Sequence, residues 1–424
     1  MNSIKLKKIQ KIDGKITLPG SKSLSNRALL LSALAQGRTR LLNVLDSDDT
    51  RRMIEALKKL HIKLDVHGTT VDVEGLGRPF DEGLNRLTLD LGNAGTAMRP
   101  LCAALAISDG VFVLTGEPRM MERPIGPLTE ALKELGLNIE YLNNDGYPPI
   151  QIWGHKAERH EVTIDGSISS QFTTALLMIA PLMGGLKLHI KGDLISRPYV
   201  DLTIKLMDKF GCKVKRTGYS SFEIPSGKYV SPGNYFIEGD ATGATYFSAA
   251  AAVAGKVEIF GIGSDSGQGD LCFLNILEGM GAKVSRFEDY VVVQKGEGKL
   301  KGIEVDMNNM PDAAMTLVPL AMFTDGPVTI KNIASWRVKE TDRIAAMAAE
   351  MNKLGVQIES GSDFISVDAS TRNDVVPVFN TYNDHRMAMC MSLIALDRDI
   401  EINDPECVRK TFPNYFSLFS TVSH

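Results

Sequence analysis

Residues 92–116, GNAGTAMRPLCAALAISDGVFVLTG, decide how the rest of the chain is read. They pass from a Gly/Asn turn into a helix that is apolar on every side, and then through Asp109-Gly110 into a β-branched strand. A helix with no polar face is a buried one. The same plan returns at GSKSLSNRALLLSALAQG from Gly20, GSISSQFTTALLMIAPLMGG from Gly166, GDATGATYFSAAAAVAG from Gly239, NNMPDAAMTLVPLAMFTDG from Asn308 and YNDHRMAMCMSLIALDRD from Tyr382. The copies recur at roughly 70 residues, the scale of a large supersecondary unit. Each runs on into a strand: RTRLLNVL, VFVLTG, LKLHIKG, KVEIFGI, PVTIKNI and IEIND.

In five copies an amphipathic helix follows, with a Leu/Met-Gly type corner and a further strand, as in TEALKELGLNIEYL and LNILEGMGAKVSR. Apolar residues at i, i+3 and i+4 with a stop signal just past the helix mark these elements. The sixth copy breaks off at KTFPNYFSLFS. Strands and helices alternate throughout, so the fold class is α/β. Six copies divide naturally into two domains of three, 21–238 and 239–424. Residues 1–20, with strand-like segments between Ile4 and Leu18, precede the first copy and are expected to complete the truncated last one. The chain would then cross between domains near 20 and 239, forming a hinge, and a cleft between hinged domains is a common place for a ligand.

Composition narrows the function. A net charge of −4 over 424 residues provides no basic field for nucleic acid or an acidic membrane. Any anion site must be a local convergence of cations. The N-terminus has no apolar segment of the secretory kind, and the longest apolar run, 172–186, is broken by Pro181 and glycines. Five scattered cysteines (Cys102, Cys212, Cys272, Cys390, Cys407) form no CxxC pair, which suits a reducing, cytoplasmic setting. No two histidines approach metal-ligand spacing, so neither metal nor cofactor is expected.

The helix starts carry the chemistry. Equivalent helices in a pseudo-symmetric domain should aim their free N–H groups at one region and favour anions there. The residues at these starts are Lys22, Ser23 and Arg27; Asn93, Gly95 and Thr96; Ser169, Ser170 and Gln171; Asp240 and Thr242; Asp312; and Asp384, His385 and Arg386. Ser, Thr, Asp and Asn here could simply be N-caps. Lys22, Arg27 and Arg386 are poor caps, and cations oppose the helix dipole unless something anionic sits among them.

The loops after the first strands add Arg123 in GEPRMMERPIG, Ser196 and Tyr199 in GDLISRPYVD, Lys339, Glu340 and Arg343 in WRVKETDR, and Lys410 in DPECVRKTFP. Arg119 and Arg409 are read as solvated charges. In WRVKETDR, helical spacing would place Lys339 and Arg343 on one face with Glu340 beside them, a repulsion that an anion would bridge. Among so many cations Asp312 is expected to stay ionised as a base, and Glu340 to exchange a proton.

The segments LPGSKSLSNRALLLSAL, LGNAGTAMRPL, GEPRMMERPIG, DGSISSQFTTALLM, PDAAMT, WRVKETDRI, YNDHRMAM and CVRKTFPNYF closely resemble the 5-enolpyruvylshikimate-3-phosphate synthase family of enolpyruvyl transferases. The resemblance runs from the first strand to the last helix. It implies two domains, each of three βαβαββ units with helix N-termini facing an interdomain cleft. It implies transfer of the enolpyruvyl group of phosphoenolpyruvate to the 5-hydroxyl of 3-phosphoshikimate, by a monomer, with release of phosphate. Lys22, Ser23, Arg27, Ser169, Ser170, Gln171, Ser196, Tyr199, Asp312 and Lys339 would hold phosphoshikimate. Ser335 joins them where the family often has Asn, its shorter hydroxyl reaching the phosphate directly or through water.

By the same resemblance Lys22, Asn93, Gly95, Thr96, Arg123, Gln171, Arg343, Arg386 and Lys410 would hold phosphoenolpyruvate. Asp312 would accept and Glu340 donate the proton, with Lys22 and His385 supporting charge transfer. Gly95, with Thr96 beside it and Pro100 one turn on, is similar to the glyphosate-sensitive form of the family, which makes glyphosate an expected inhibitor. Two rivals fare worse. The sister enzymes acting on a UDP-amino sugar need a reactive cysteine in a mobile loop, and GEPRMMERPIG has none. A non-catalytic binding module would need neither Asp312 nor Glu340.

Overall fold

The computed structural model describes residues 2–424, the side chains of residues 82, 84 and 85 aside. The chain divides into two compact units, Gly20–Ile237 and Met1–Pro19 with Glu238–His424. Gly20–Ile237 contains three four-stranded sheets on one plan. In the second repeat, Asp81–Asp90 lies parallel to Asp109–Thr115, with Leu87 opposite Phe112 and Leu89 opposite Leu114. The antiparallel strands Ile150–Gly154 and Asn138–Tyr141 follow. The third repeat copies this with Glu161–Asp165, Gly185–Lys191, Ser221–Pro225 and Lys215–Thr217. The first repeat takes its parallel partner from the far end of the unit, where Asn234–Phe236 pairs with Gln36–Leu42.

The first helix of each repeat, Lys22–Leu34, Gly95–Ala106 or Ser170–Ile179, is buried on all sides. Leu29, Leu30 and Leu31 have no exposure at all, which no surface helix allows. Each such leucine contributes about 1.5–3 kcal/mol by leaving water, so these helices are core as much as scaffold. The second helices, such as Asp48–Lys59 and Arg197–Lys209, bury one face only.

The other unit repeats the plan with Ile12–Thr17, Gly255–Phe260, Tyr290–Gln294 and Lys283–Arg286, and again with Ile303–Asp306, Val328–Lys331, Ile365–Asp368 and Gln357–Ser360. Its last sheet has three strands, Val378–Phe379, Ile400–Asn403 and Ser3–Leu6. The N-terminal segment therefore splits. Ser3–Leu6 joins the truncated sixth copy, as expected. Ile12–Thr17 instead completes the fourth copy, with Ile16 opposite Ile259. The reason is that Asn234–Phe236, the strand just ahead of helix Ala241–Ala254, is already paired with the first repeat, which leaves the edge of Gly255–Phe260 open.

One local device recurs. The residue just after the first post-helix strand is left-handed in five copies: Asn43 (φ 61°), Gly192 (73°), Gly261 (96°), Asn332 (59°) and Asp404 (49°). Gly, Asn and Asp are the residues that tolerate this region. They swing the chain off each strand, and after Gly192, Asn332 and Asp404 into loops that carry candidate residues.

Candidate active site

In Gly20–Ile237 the third inner helix is capped in the ordinary way, the Gln171 N–H donating to Ser169 Oγ at 3.2 Å. Ser21 and Ala94 make no side-chain cap for the first two. These ends gather cations where acids would suit the dipole. Lys22 Nζ lies 3.3 Å from Asp49 Oδ2, both nearly buried. Arg27 Nε donates to Thr203 Oγ1 at 2.8 Å and its Nη1 to the Ser23 carbonyl at 3.1 Å. Arg123 Nη1 donates to the Asn93 carbonyl and to Asn93 Oδ1, at 3.0 and 2.8 Å.

Arg27 and Arg123 are 4% and 5% exposed, and among the described residues neither has a carboxylate partner. Burial pushes the Arg27 guanidinium down to about 10, with the Tyr199 hydroxyl opposing. Guanidinium groups buried against neutral oxygens are costly, and an anionic ligand relieves that cost.

Asn26 Nδ2 donates to Thr96 Oγ1 at 2.7 Å and ties the first helix start to the second, while the Arg27–Thr203 bond ties it to the third repeat. A Cβ on Gly95 would stand 2.8 Å from Arg123 Nη2 and 2.9 Å from Arg99 Nη1. Glycine is therefore what lets two guanidinium groups lie against this helix start. Gly95 is expected to border phosphoenolpyruvate; in the structure the first atoms a side chain there would meet are those of Arg123 and Arg99. Arg99 escaped the sequence reading, although a buried cation one turn into an apolar helix was the available signal. Ser170 and Gln171 open the third helix, and buried Ser196 sits in the left-handed region (φ 52°) ahead of Arg197 and half-buried Tyr199.

In the other unit a denser cluster surrounds Asp312, on the short helix Pro311–Ala314. Arg343 Nη1 donates to its Oδ1 at 2.9 Å, Arg386 Nη2 to its Oδ2 at 3.0 Å, and Lys339 Nζ lies 3.4 Å from Oδ1. Burial alone would raise this carboxyl. Arg386, Lys339 and Arg343 more than reverse that and hold it well below the usual carboxylate range. It therefore stays ionised at neutral pH. Arg343, 1% exposed, also holds Glu340 Oε2 at 2.9 Å and Asp384 Oδ2 at 2.8 Å.

Lys410 Nζ approaches Glu340 Oε1 to 4.0 Å. Asp384 caps helix His385–Ser392, accepting from the Arg386 N–H at 2.9 Å, and so orients both arginines at once. Arg386 Nη1 donates to Tyr246 Oη at 3.2 Å. His385 is fully buried, with Nδ1 3.6 Å from Asp384 Oδ1. Ser335 lies half-buried on the turn Ala334–Val338, whose Trp336 indole donates to the Pro311 carbonyl at 2.6 Å.

WRVKETDR is not one helix. A 3-10 turn ends at Val338, and helix Arg343–Asn352 restarts behind Asp342, which caps the Ala345 N–H and is paired with Arg337. Lys339 and Arg343 therefore do not share a helical face; they meet at Asp312, which is the anion between them. Asp384, Asp49 and Tyr246 were missed as partners, because contacts this distant in sequence leave no spacing signal. Arg119 and Arg409 pair with Glu122 and Glu406 on their own loops. Burial pushes the Cys102 thiol up to about 12, so it is no nucleophile. Among the described residues no group of three or more His, Cys, Asp or Glu could hold a metal ion, and no helix is long and apolar enough to cross a membrane.

Comparison with known proteins follows the same lines. A family profile described as EPSP synthase (3-phosphoshikimate 1-carboxyvinyltransferase) matches residues 6–419. The 3-phosphoshikimate 1-carboxyvinyltransferase of Vibrio vulnificus (strain YJ016) is 52% identical over 100% of this chain and 99% of its own length. That of Aeromonas salmonicida (strain A449) is 51% identical, with the same coverage. Among solved structures, an EPSP synthase from Acinetobacter baumannii superposes with a TM-score of 0.82 at 23% identity, over 100% of this chain and 98% of that one. The enolpyruvyl transferase NikO from Streptomyces tendae gives 0.78 at 17%, over 99% and 97%.

Proposed function

The chain belongs to the EPSP synthase family, and from that premise we propose how its residues carry the reaction. The enzyme transfers the enolpyruvyl group of phosphoenolpyruvate to the 5-hydroxyl of 3-phosphoshikimate and releases phosphate, a step of the shikimate pathway to aromatic amino acids. Lys22, Ser23, Arg27, Ser169, Ser170, Gln171, Ser196, Tyr199, Ser335 and Lys339 bind phosphoshikimate. Lys22, Asn93, Gly95, Thr96, Arg123, Gln171, Arg343, Arg386 and Lys410 bind phosphoenolpyruvate. Each charge-assisted hydrogen bond to a phosphate or carboxylate contributes about 1.5–3 kcal/mol.

Glu340 delivers a proton to the methylene carbon of phosphoenolpyruvate and makes C2 electrophilic. The 5-hydroxyl adds to C2 and loses its proton to Asp312. The tetrahedral adduct then returns a methyl proton to Glu340, restores the double bond, and expels phosphate, which takes the proton held by Asp312. Preorganised cations stabilise the charge that moves in these steps. The observation that carries the reading is Arg343, which holds Asp312 and Glu340 on one guanidinium at 2.9 Å each and thereby sets acceptor and donor side by side.

The reading takes no metal or cofactor, and places a monomer in the cytoplasm, where its five free cysteines would stay reduced. It makes glyphosate a competitor for the phosphoenolpyruvate residues. Phosphate release measured with both substrates present tests it. Turnover that requires both, with a carboxyvinyl ether product by mass spectrometry, is expected; binding of both without release would overturn it.

A further inference from the structure

Glu350 has no exposed surface, yet nothing in the reaction uses it. Its Oε1 accepts the Tyr382 hydroxyl at 2.7 Å, and its Oε2 accepts the Asn380 N–H at 2.9 Å and Lys353 Nζ at 2.6 Å. Lys353 also donates to the Val378 carbonyl at 2.8 Å. The segment gripped in this way is strained. Tyr382 (φ 54°) and Asn383 (φ 53°) are consecutive non-glycine residues in the left-handed region, directly ahead of Asp384, His385 and Arg386. Such a pair persists only where its surroundings hold it.

Glu350 belongs to helix Arg343–Asn352, whose first residue is Arg343. One end of that helix grips Asp312 and Asp384 through Arg343, and the other grips the turn that delivers Arg386. An apolar residue at 350 would fill the same volume without the cost of a buried carboxylate. Only a carboxylate accepts from three donors with two oxygens.

We propose that Glu350 and Tyr382 are positioning residues: by holding the Asn380–Asn383 turn to helix Arg343–Asn352 they fix the separation of the Arg343 and Arg386 guanidinium groups, and hence the grip on phosphoenolpyruvate. This rests on the assignment of both arginines to phosphoenolpyruvate. Neither residue touches the reacting atoms. Burial and the adjacent Glu350 carboxylate push the Tyr382 hydroxyl up to about 12, so it remains a donor throughout the working pH range.

Tyr382→Phe removes one hydroxyl from a residue that is 42% exposed, and the variant should fold normally. Its KM for phosphoenolpyruvate should rise about tenfold, with kcat and the phosphoshikimate KM within about twofold. Glu350→Gln, which keeps an accepting oxygen, should lie between wild type and Glu350→Ala. An unchanged phosphoenolpyruvate KM in Tyr382→Phe, or equal loss for both substrates in step with Tm, would overturn the inference. Arg386→Ala separates the two layers of argument. If it leaves the phosphoenolpyruvate KM untouched, the site assignment falls and this inference with it. If it raises that KM while Tyr382→Phe does not, the inference alone falls.

Discussion

The two units treat their cations in opposite ways. In Gly20–Ile237, Arg27 and Arg123 are buried against neutral oxygens of Thr203, Ser23 and Asn93, while Lys22 lies against the Asp49 carboxylate. In the other unit Lys339, Arg343, Arg386 and Lys410 are interleaved with Asp312, Glu340 and Asp384. A cation that lacks a counter-ion gains most from an anionic ligand. A cation shared among carboxylates instead sets which of them keeps a proton. On the proposed reading the first cluster serves binding alone, whereas the second combines binding with proton transfer.

The largest effect should come from the proton side. Asp312→Ala should lower kcat by about a thousandfold, while calorimetry still detects phosphoshikimate binding; near-normal turnover would remove Asp312 from its role and erase the contrast. Stability should separate the clusters next. Arg343→Met removes the buried guanidinium shared by Asp312, Glu340 and Asp384 and should cost about 3–5 kcal/mol in urea unfolding. Arg27→Met removes a buried charge without orphaning a carboxylate. It should leave the empty protein as stable or more so, and weaken phosphoshikimate binding roughly ten- to a hundredfold. Equal destabilisation by both would break the comparison.

Acid should act on one cluster selectively. Because the folded-state pKa of Asp312 is depressed, its contribution is fully present above its unfolded value of about 3.9 and is lost as pH falls through the lower folded value. Urea midpoints should therefore drop below about pH 4, and Asp312→Asn should flatten that drop. A drop of the same size in the variant would locate the sensitivity elsewhere. The smallest effect concerns Gly95→Ala. Its methyl would displace the Arg123 and Arg99 guanidinium ends, so the phosphoenolpyruvate KM should rise by only about two- to fivefold. Inhibition by glyphosate, if it depends on the space beside Gly95, should weaken more. Parallel changes in both constants would trace the effect to Arg123 alone.

Much of this was legible in the chain. Alternating apolar helices and β-branched strands give the α/β class, and Asn43, Gly192, Gly261, Asn332 and Asp404 are the punctuation expected where a strand must turn sharply. What local pattern could not supply was allegiance over distance. Nothing in IDGKIT says that it will lie beside Gly255–Phe260 rather than the last strand, because strand registry is decided by which edge is left open. WRVKETDR carries helical charge spacing, yet Asp342 is the stronger signal as a cap and restarts the helix. The cations of the site stood out because they are odd at helix starts. Their partners Asp49 and Tyr246 did not, and Asp384 stood out only as a helix start, since an acid or a tyrosine is ordinary until its neighbour is known.

The traded strands have a consequence for biosynthesis. Once Phe236 has left the ribosome, Gly20–Ile237 owns every strand of its three sheets and can fold at once. The segment ahead of it cannot: Ile12–Thr17 waits for Gly255–Phe260, Ser3–Leu6 waits for Ile400–Asn403, and Lys11 exchanges backbone hydrogen bonds with His424. Ser3–Leu6 and Ile12–Thr17 are thus among the last strands to find their place, and a nascent chain stalled between Ile237 and Ile400 carries a finished lobe flanked by an unfinished one.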